Sequence, residues 1–337
     1  MASTSVGGRL RQGLLAALCA LAAGVPALAD KKKSGNGSPP PRGFDLGAPL
    51  NLLYVWDASI PGDGRATEEL LRFADRVRAN TLAIEASPVG YGEPGALARY
   101  AEFTRAARHE GFLVIALGGY PWFTVAPDAG VPGQPTSWLE GWEIYGRIAK
   151  SGLFDAVLDD SSPAETNYVG ADGELVNWFW QDPERASRDY LEYLAGLERV
   201  LGPLPHVQAV PLWFDNEPRL KQLYLEGETR AHSLAWYVAR HVEAVNVLAY
   251  RDTARGILDS VAGELALGRV VIGVETMDLG PELAHATFFE EGARGLQLEL
   301  NAVYQGLRRH PGLAGFSVHH YGSYRAMLLR DRPQGTH

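Results

Sequence analysis

Hydrophobic positions along this chain fall into short blocks that stop abruptly at polar or aromatic residues. They read NLLYVWD (51–57), TLAIEAS (81–87), FLVIALGGYPW (112–122), FDAVLDD (154–160), HVQAVPLWFD (206–215), VNVLAYRD (245–252), IGVET (272–276) and GFSVHHYGSY (315–324). Short apolar blocks bounded by turn formers predict strands covered on both faces. The strands are expected at 52–57, 81–86, 112–117, 154–160, 207–214, 244–250, 270–275 and 314–320. The stretches between them predict helices near 67–78, 95–109, 183–200, 233–242, 253–267 and 287–309, one ending near Lys150, and a short one after the last strand. Strict alternation implies a parallel sheet covered by helices. A doubly wound open sheet shares that grammar, but eight units of this size favour closure into a single-domain (β/α)8 TIM barrel, and no solenoid-length repeat competes.

A barrel of this kind collects its chemistry at the C-terminal ends of the strands. Side chains alternate faces with period two, so an inward Glu275 carries Gly273 and Val271 inward, and an inward His319 carries Ser317. By the same count Glu85 shares a face with Ala83, and Asp160 with Leu158 and Ala156. Asp159 then turns to the helices or caps a loop, and His320 faces the rim.

Charge and export signals narrow the setting. Residues 1–29 have the layout of a signal peptide: Arg9 and Arg11, an apolar core over 14–25, and Ala27-Leu28-Ala29 before Asp30. The one cysteine, Cys19, lies within it, so disulfides and thiol catalysis are not expected in the mature chain. Residues 30–47, charged and then rich in Gly, Ser and Pro, read as a disordered linker. The barrel domain is expected over 48–330, with a C-terminal tail at 331–337. Taking Arg9 and Arg11 from 31 basic residues leaves 29 against 40 acidic ones, a net charge of about −11. This argues against nucleic acid or an anionic lipid surface as partner, and neutral or cationic glycans remain compatible. The expected product is a monomer, periplasmic or extracellular, without membrane insertion after cleavage.

Glu275 and Asp160 end strands on opposite sides of the mouth, where paired carboxylates can flank a glycosidic bond. Burial raises the pKa of such a group and keeps an acid protonated near neutrality. Tyr250 closes the sixth strand and can donate to a substrate oxygen, while Arg251 can orient a carboxylate. Asp252 is expected to cap the next helix. Asp57 and Glu85 are candidates for sugar hydroxyls, with His319, His320 and Tyr321 at the last strand end. Trp56, Trp122, Trp178 and Trp213 are the expected platforms for apolar sugar faces, whereas Trp138 and Trp142, at helical spacing, read as packing. Adjacent histidines on a strand make a poor chelating pair, and no HExxH, CxxC, phosphate loop or GxSxG occurs. No metal and no cofactor are expected.

At these motifs the chain resembles secreted bacterial glycoside-hydrolase-like barrels, distantly similar in pattern to the chitinase-type fold. Such proteins carry a fourth strand of the form DGIHLDVEP, a sixth ending in Tyr-Arg-Asp, a seventh IGVET and an eighth GxxxHHY. Here the counterparts are DAVLDDSSP (155–163), Ala249 with Tyr250, Arg251 and Asp252, IGVET (272–276), and the run 315–321. The resemblance implies a glycan-processing barrel, with one departure. Asp160 matches the motif's aspartate, but Ser162 stands where its glutamate belongs, and serine is no general acid near neutrality. Either Glu165 substitutes, or Asp160 and Glu275 form the working pair, or the chain is a pseudoenzyme that only binds glycan. The leading expectation is a glycoside hydrolase acting on a polysaccharide or glycoconjugate. A barrel using His319 on a non-sugar substrate is the weaker third class.

Overall fold

A computed structural model describes residues 49–126, 138–169, 173–225 and 227–331. The expected signal peptide, the linker and nearly all of the tail lie outside them, as does the side chain of Trp122.

Ten strands occur among the described residues: β1 (Leu50–Val55), β2 (Thr81–Glu85), β3 (Leu113–Gly118), β4 (Ala156–Asp159), β5 (Asn167–Val169), β6 (Leu175–Asn177), β7 (His206–Pro211), β8 (Ala244–Leu248), β9 (Val270–Glu275) and β10 (Leu313–His319). Eight of them close into an all-parallel barrel in the order β1-β10-β9-β8-β7-β4-β3-β2, while β5 and β6 form a separate antiparallel hairpin. This is the (β/α)8 TIM barrel, with its eight barrel strands where the apolar blocks lie. The hairpin falls in the long loop after β4 and was not foreseen.

Helices cover the barrel between strands, and their starts follow from capping. Asp63 accepts the amide protons of Arg65 and Ala66 at the head of Gly64–Arg76, and Asp182 that of Arg185 at the head of Pro183–Leu201. Ala254–Leu267 is capped by Thr253, whose hydroxyl accepts from Gly256. The cap expected from Asp252 therefore sits one residue later, because the extended backbone of Thr253 directs its side chain at the first helical turn.

Two glycines close the structure where a side chain cannot fit. Gly315, at φ +147°, lies where β10 bulges, and a Cβ there would stand 2.2 Å from the Leu50 carbonyl. It permits β10 to lie on β1 and shut the barrel. Gly119, at φ +146°, presses on the tip of β4, where a Cβ would stand 2.5 Å from the Asp160 carbonyl carbon.

The barrel interior is not wholly apolar. Asn246 donates from Nδ2 to the Tyr54 hydroxyl at 3.1 Å, and the Ser317 hydroxyl donates to Asn246 Oδ1. All three are fully buried, and a Cβ on Gly273 would meet both Ser317 and Asn246. This polar layer lies one inward residue below Glu275 and His319, and forms the floor of the mouth.

Candidate active site at the barrel mouth

The tip of β4 is held rigidly. Asp159 is fully buried on the helix side, where it accepts from Tyr145 at 2.7 Å, Tyr193 at 3.0 Å and the Ser161 hydroxyl at 2.7 Å. Burial raises its pKa to about 6 against the pull of these donors. Gln208 on β7 donates to the carbonyls of Asp159 and Ser161 at 2.9 and 3.0 Å. With its neighbour tied down in this way, Asp160 is left on the other face. Its Oδ2 is sealed from solvent without a hydrogen-bond partner. Burial first, then the charges of Glu165 and Asp159, push the Asp160 carboxyl well above the usual range.

Glu275, at the end of β9, is fully buried. Its Oε1 accepts the amide protons of Thr276 at 2.8 Å and Met277 at 2.9 Å, while Oε2 has no partner. Desolvation raises its pKa to about 8, partly offset by those two amides. Glu165, in the single helical turn Pro163–Glu165, is likewise raised to about 8 by burial.

Tyr250 joins these groups. Burial raises its phenol pKa, and the charges of Glu275, Asp160, Tyr54 and Glu165 raise it further, so it lies in the field of all of them. Its backbone carbonyl accepts from Arg251 Nη1 at 2.6 Å, which occupies the arginine locally.

His319 ends β10 beside Glu275. Trp56 Nε1 donates to its Nε2, so the ring proton resides on Nδ1. That Nδ1 has no partner and lies 3.9 Å from Glu275 Oε1. Tyr54 meets the ring edge-on at 5.0 Å. Burial and then His320 lower the His319 pKa well below the ordinary value, leaving the ring neutral. In this tautomer His319 can donate to Glu275 but cannot take a proton at Nδ1.

The remaining candidates divide. His320 caps the final helix, accepting from Gly322 at 3.1 Å, and Tyr321 packs edge-on against Phe73 at 5.1 Å. Asp57 is exposed and bound to Ser59, while Glu85 accepts from the Ser87 amide at 2.8 Å and hydroxyl. Trp178 is half-buried, with its indole nitrogen unpartnered and Arg185 5.6 Å from the ring centre. Trp213 packs on Trp180 at 5.3 Å and Phe214 at 5.0 Å, and Arg219 covers Trp180 at 4.1 Å. Trp138 and Trp142 stack on each other at 5.6 Å. Ser162 is buried with its hydroxyl unpartnered.

The floor residues Tyr54, Asn246 and Ser317, and the clamps Gln208, Tyr145 and Tyr193, escaped the sequence reading as parts of the site. The one sequence signal was Asn246, a lone amide inside AVNVL (244–248). Among the described residues no group of three or more His, Cys, Asp or Glu is placed to hold a metal. No described helix is long and apolar enough to cross a membrane.

No protein-family model matches the chain, and no curated protein does. Solved structures do resemble it. A β-glucuronidase from Bacteroides uniformis gives a TM-score of 0.50 at 13% identity, over 81% of this chain and 30% of that one. A class V chitinase from Pseudomonas fluorescens Pf-5 gives 0.48 at 12% identity, over 84% and 99%. The PgaB (BpsB) glycoside hydrolase domain from Bordetella bronchiseptica gives 0.45 at 12%, over 80% and 93%. At 13% identity the likeness to the β-glucuronidase speaks for the barrel alone.

Proposed function

We propose that this barrel is an exported glycoside hydrolase that works without a cofactor, with Asp160 as general acid and Glu275 as base or nucleophile. The observation that carries this reading is the convergence of Asp160, Glu165 and Glu275 around Tyr250, with Asp160 Oδ2 and Glu275 Oε2 buried and unpartnered. Both atoms lie at the barrel mouth, where a ligand or ordered water can supply the hydrogen bonds that burial demands. The surroundings divide the roles. Glu275 has two amides bonded to Oε1, both of which favour its anion, with the neutral His319 ring 3.9 Å away. Asp160 faces other carboxylates, which favour its protonated form. Tyr250 supplies a phenol that stays protonated and can donate to a sugar oxygen in the transition state.

The test is sugar release from bacterial and plant polysaccharides, chitin and amino-sugar polymers included, by the mature protein and by Glu275→Gln. Turnover by the parent, reduced roughly 10²- to 10⁴-fold in the variant, is the expected result. Absence of turnover on every polymer by the parent overturns it. A second reading, a pseudoenzyme that binds glycan, draws on Ser162, whose buried hydroxyl stands where the resembling motif has a glutamate. It predicts saturable binding without release.

A further inference from the structure

We propose that a groove on the flank of the barrel, away from the mouth, binds an oligosaccharide bearing carboxylate groups. It does not rest on the mouth being catalytic. The groove has a volume of about 390 Å³ and lies between helices Gly64–Arg76 and Tyr321–Arg330. Arg65, Arg72 and Arg76 line one wall and Arg325 the other, over an apolar floor of Phe73, Leu328 and Leu329. Spacings of four, three and four residues place Arg65, Glu69, Arg72 and Arg76 on one helical face, so the wall runs about 16 Å along the axis.

Charge is concentrated here against the trend of the molecule, whose formal net charge is −9. Glu69 is the one acid in the lining, and Arg325 takes it, while Arg72 pairs with Glu68. Arg65 and Arg76 have no ion pair to another described residue. Arg72 and Arg76, four apart on one helix, repel each other, an arrangement that lowers helix stability unless an anion sits between them.

The chemistry of the groove selects the ligand. Guanidinium groups grip carboxylates through paired N–H donors, and every cation here is arginine. Phe73 is almost fully buried against Tyr321 and Tyr324, and Leu328 with the half-exposed Leu329 gives the lining its accessible apolar surface. A chain of sugar rings with apolar C–H faces and carboxylates along its edge meets both demands. Arg65 and Arg76, the wall arginines without an ion pair, stand about 16 Å apart along the helix, which suits a ligand with carboxylates spaced along a chain.

Calorimetric titration at low salt with a galacturonate hexamer, a neutral hexasaccharide, inorganic pyrophosphate and phosphatidylglycerol vesicles tests this. The galacturonate hexamer is expected to bind, with affinity reduced at least tenfold in Arg65→Gln/Arg76→Gln and lost at high salt, while the neutral hexamer stays silent. Arg325→Gln provides a second variant from the opposite wall, and melting curves check that each folds. Arg65, Arg76 and Arg325 lie on the two flanking helices and not at the mouth, so loss of binding in their variants assigns the hexamer to this groove. Absence of hexamer binding, binding unchanged by the arginine variants, or equal or tighter binding of pyrophosphate or vesicles each overturns the proposal.

Discussion

At Glu275 two effects oppose each other. Desolvation holds the carboxyl protonated up to about pH 8, while the amides of Thr276 and Met277 favour its anion. If the residue acts as base or nucleophile, only its ionised form works. Activity should therefore rise with pH towards about 8, the value set by this one group. A pH–rate profile that instead falls on approaching 8 would make Glu275 the acid and exchange its role with Asp160. His319 cannot substitute as base in either case, because Trp56 occupies its Nε2 and its Nδ1 carries the proton. At this scale the sequence was readable wherever period two applied: Asp160 and Asp159 part to opposite faces, and Glu275 and His319 share one. It was unreadable where a polar residue answers to a distant partner. Asn246 meets Tyr54 across 192 positions, and no local pattern announces such a meeting.

Among the elements, β4 is held from several sides at once. Its four residues end in an aspartate clamped by two tyrosines and followed by a backbone clamped by Gln208, with Gly119 pressed against the turn. Gly119→Ala should displace Asp160, since a Cβ there would overlap the Asp160 and Ser161 backbone at 2.5 to 2.7 Å. The strain at φ +146° adds to the overlap. The expected outcome is a loss of sugar release of tenfold or more, with stability lowered by about 1–3 kcal/mol, measured by rate and by denaturant titration. Unchanged kinetics would show that Asp160 tolerates movement and is not the acid. The eight barrel strands were legible because each is an apolar block ending at a polar tip. The β5–β6 hairpin was not, since three-residue strands are too short to establish a period. The cap at Thr253 was missed by one residue because Asp252 and Thr253 are both good caps and only backbone conformation separates them.

Across the whole molecule, buried acids set the response to pH. Glu165, Glu264 and Glu275 each have a folded pKa of about 8, raised from an ordinary value near 4.5. Glu264, on helix Ala254–Leu267, is raised first by burial and then by the charge of Asp215. At these three groups the folded chain binds more protons than the unfolded one between the two pH values, while His206 and His319, kept neutral by burial, bind fewer below about 6.5. The contribution of the three acids to stability is complete below about 4.5 and declines as pH rises through about 8. Melting temperature should therefore fall over that range, and Glu264→Gln should lessen the slope. A melting temperature that climbs from pH 5 to pH 8 would contradict the sign.

The bond between Trp56 and His319 spans 263 positions and crosses the seam where β1 meets β10. The first and last strands of the barrel thus jointly build the environment of Glu275. A chain emerging in order from its N-terminus carries the tryptophan early and waits for nearly the whole sequence before the histidine arrives. Loop closure over such a span is slow, so the active arrangement should be the last thing to form. In refolding followed by Trp fluorescence and by sugar release, catalytic competence should lag behind recovery of helix content. Truncation before β10 should leave a chain that still carries Asp160, Glu165, Tyr250 and Glu275 in its sequence but cannot close the barrel around them, and it should release no sugar.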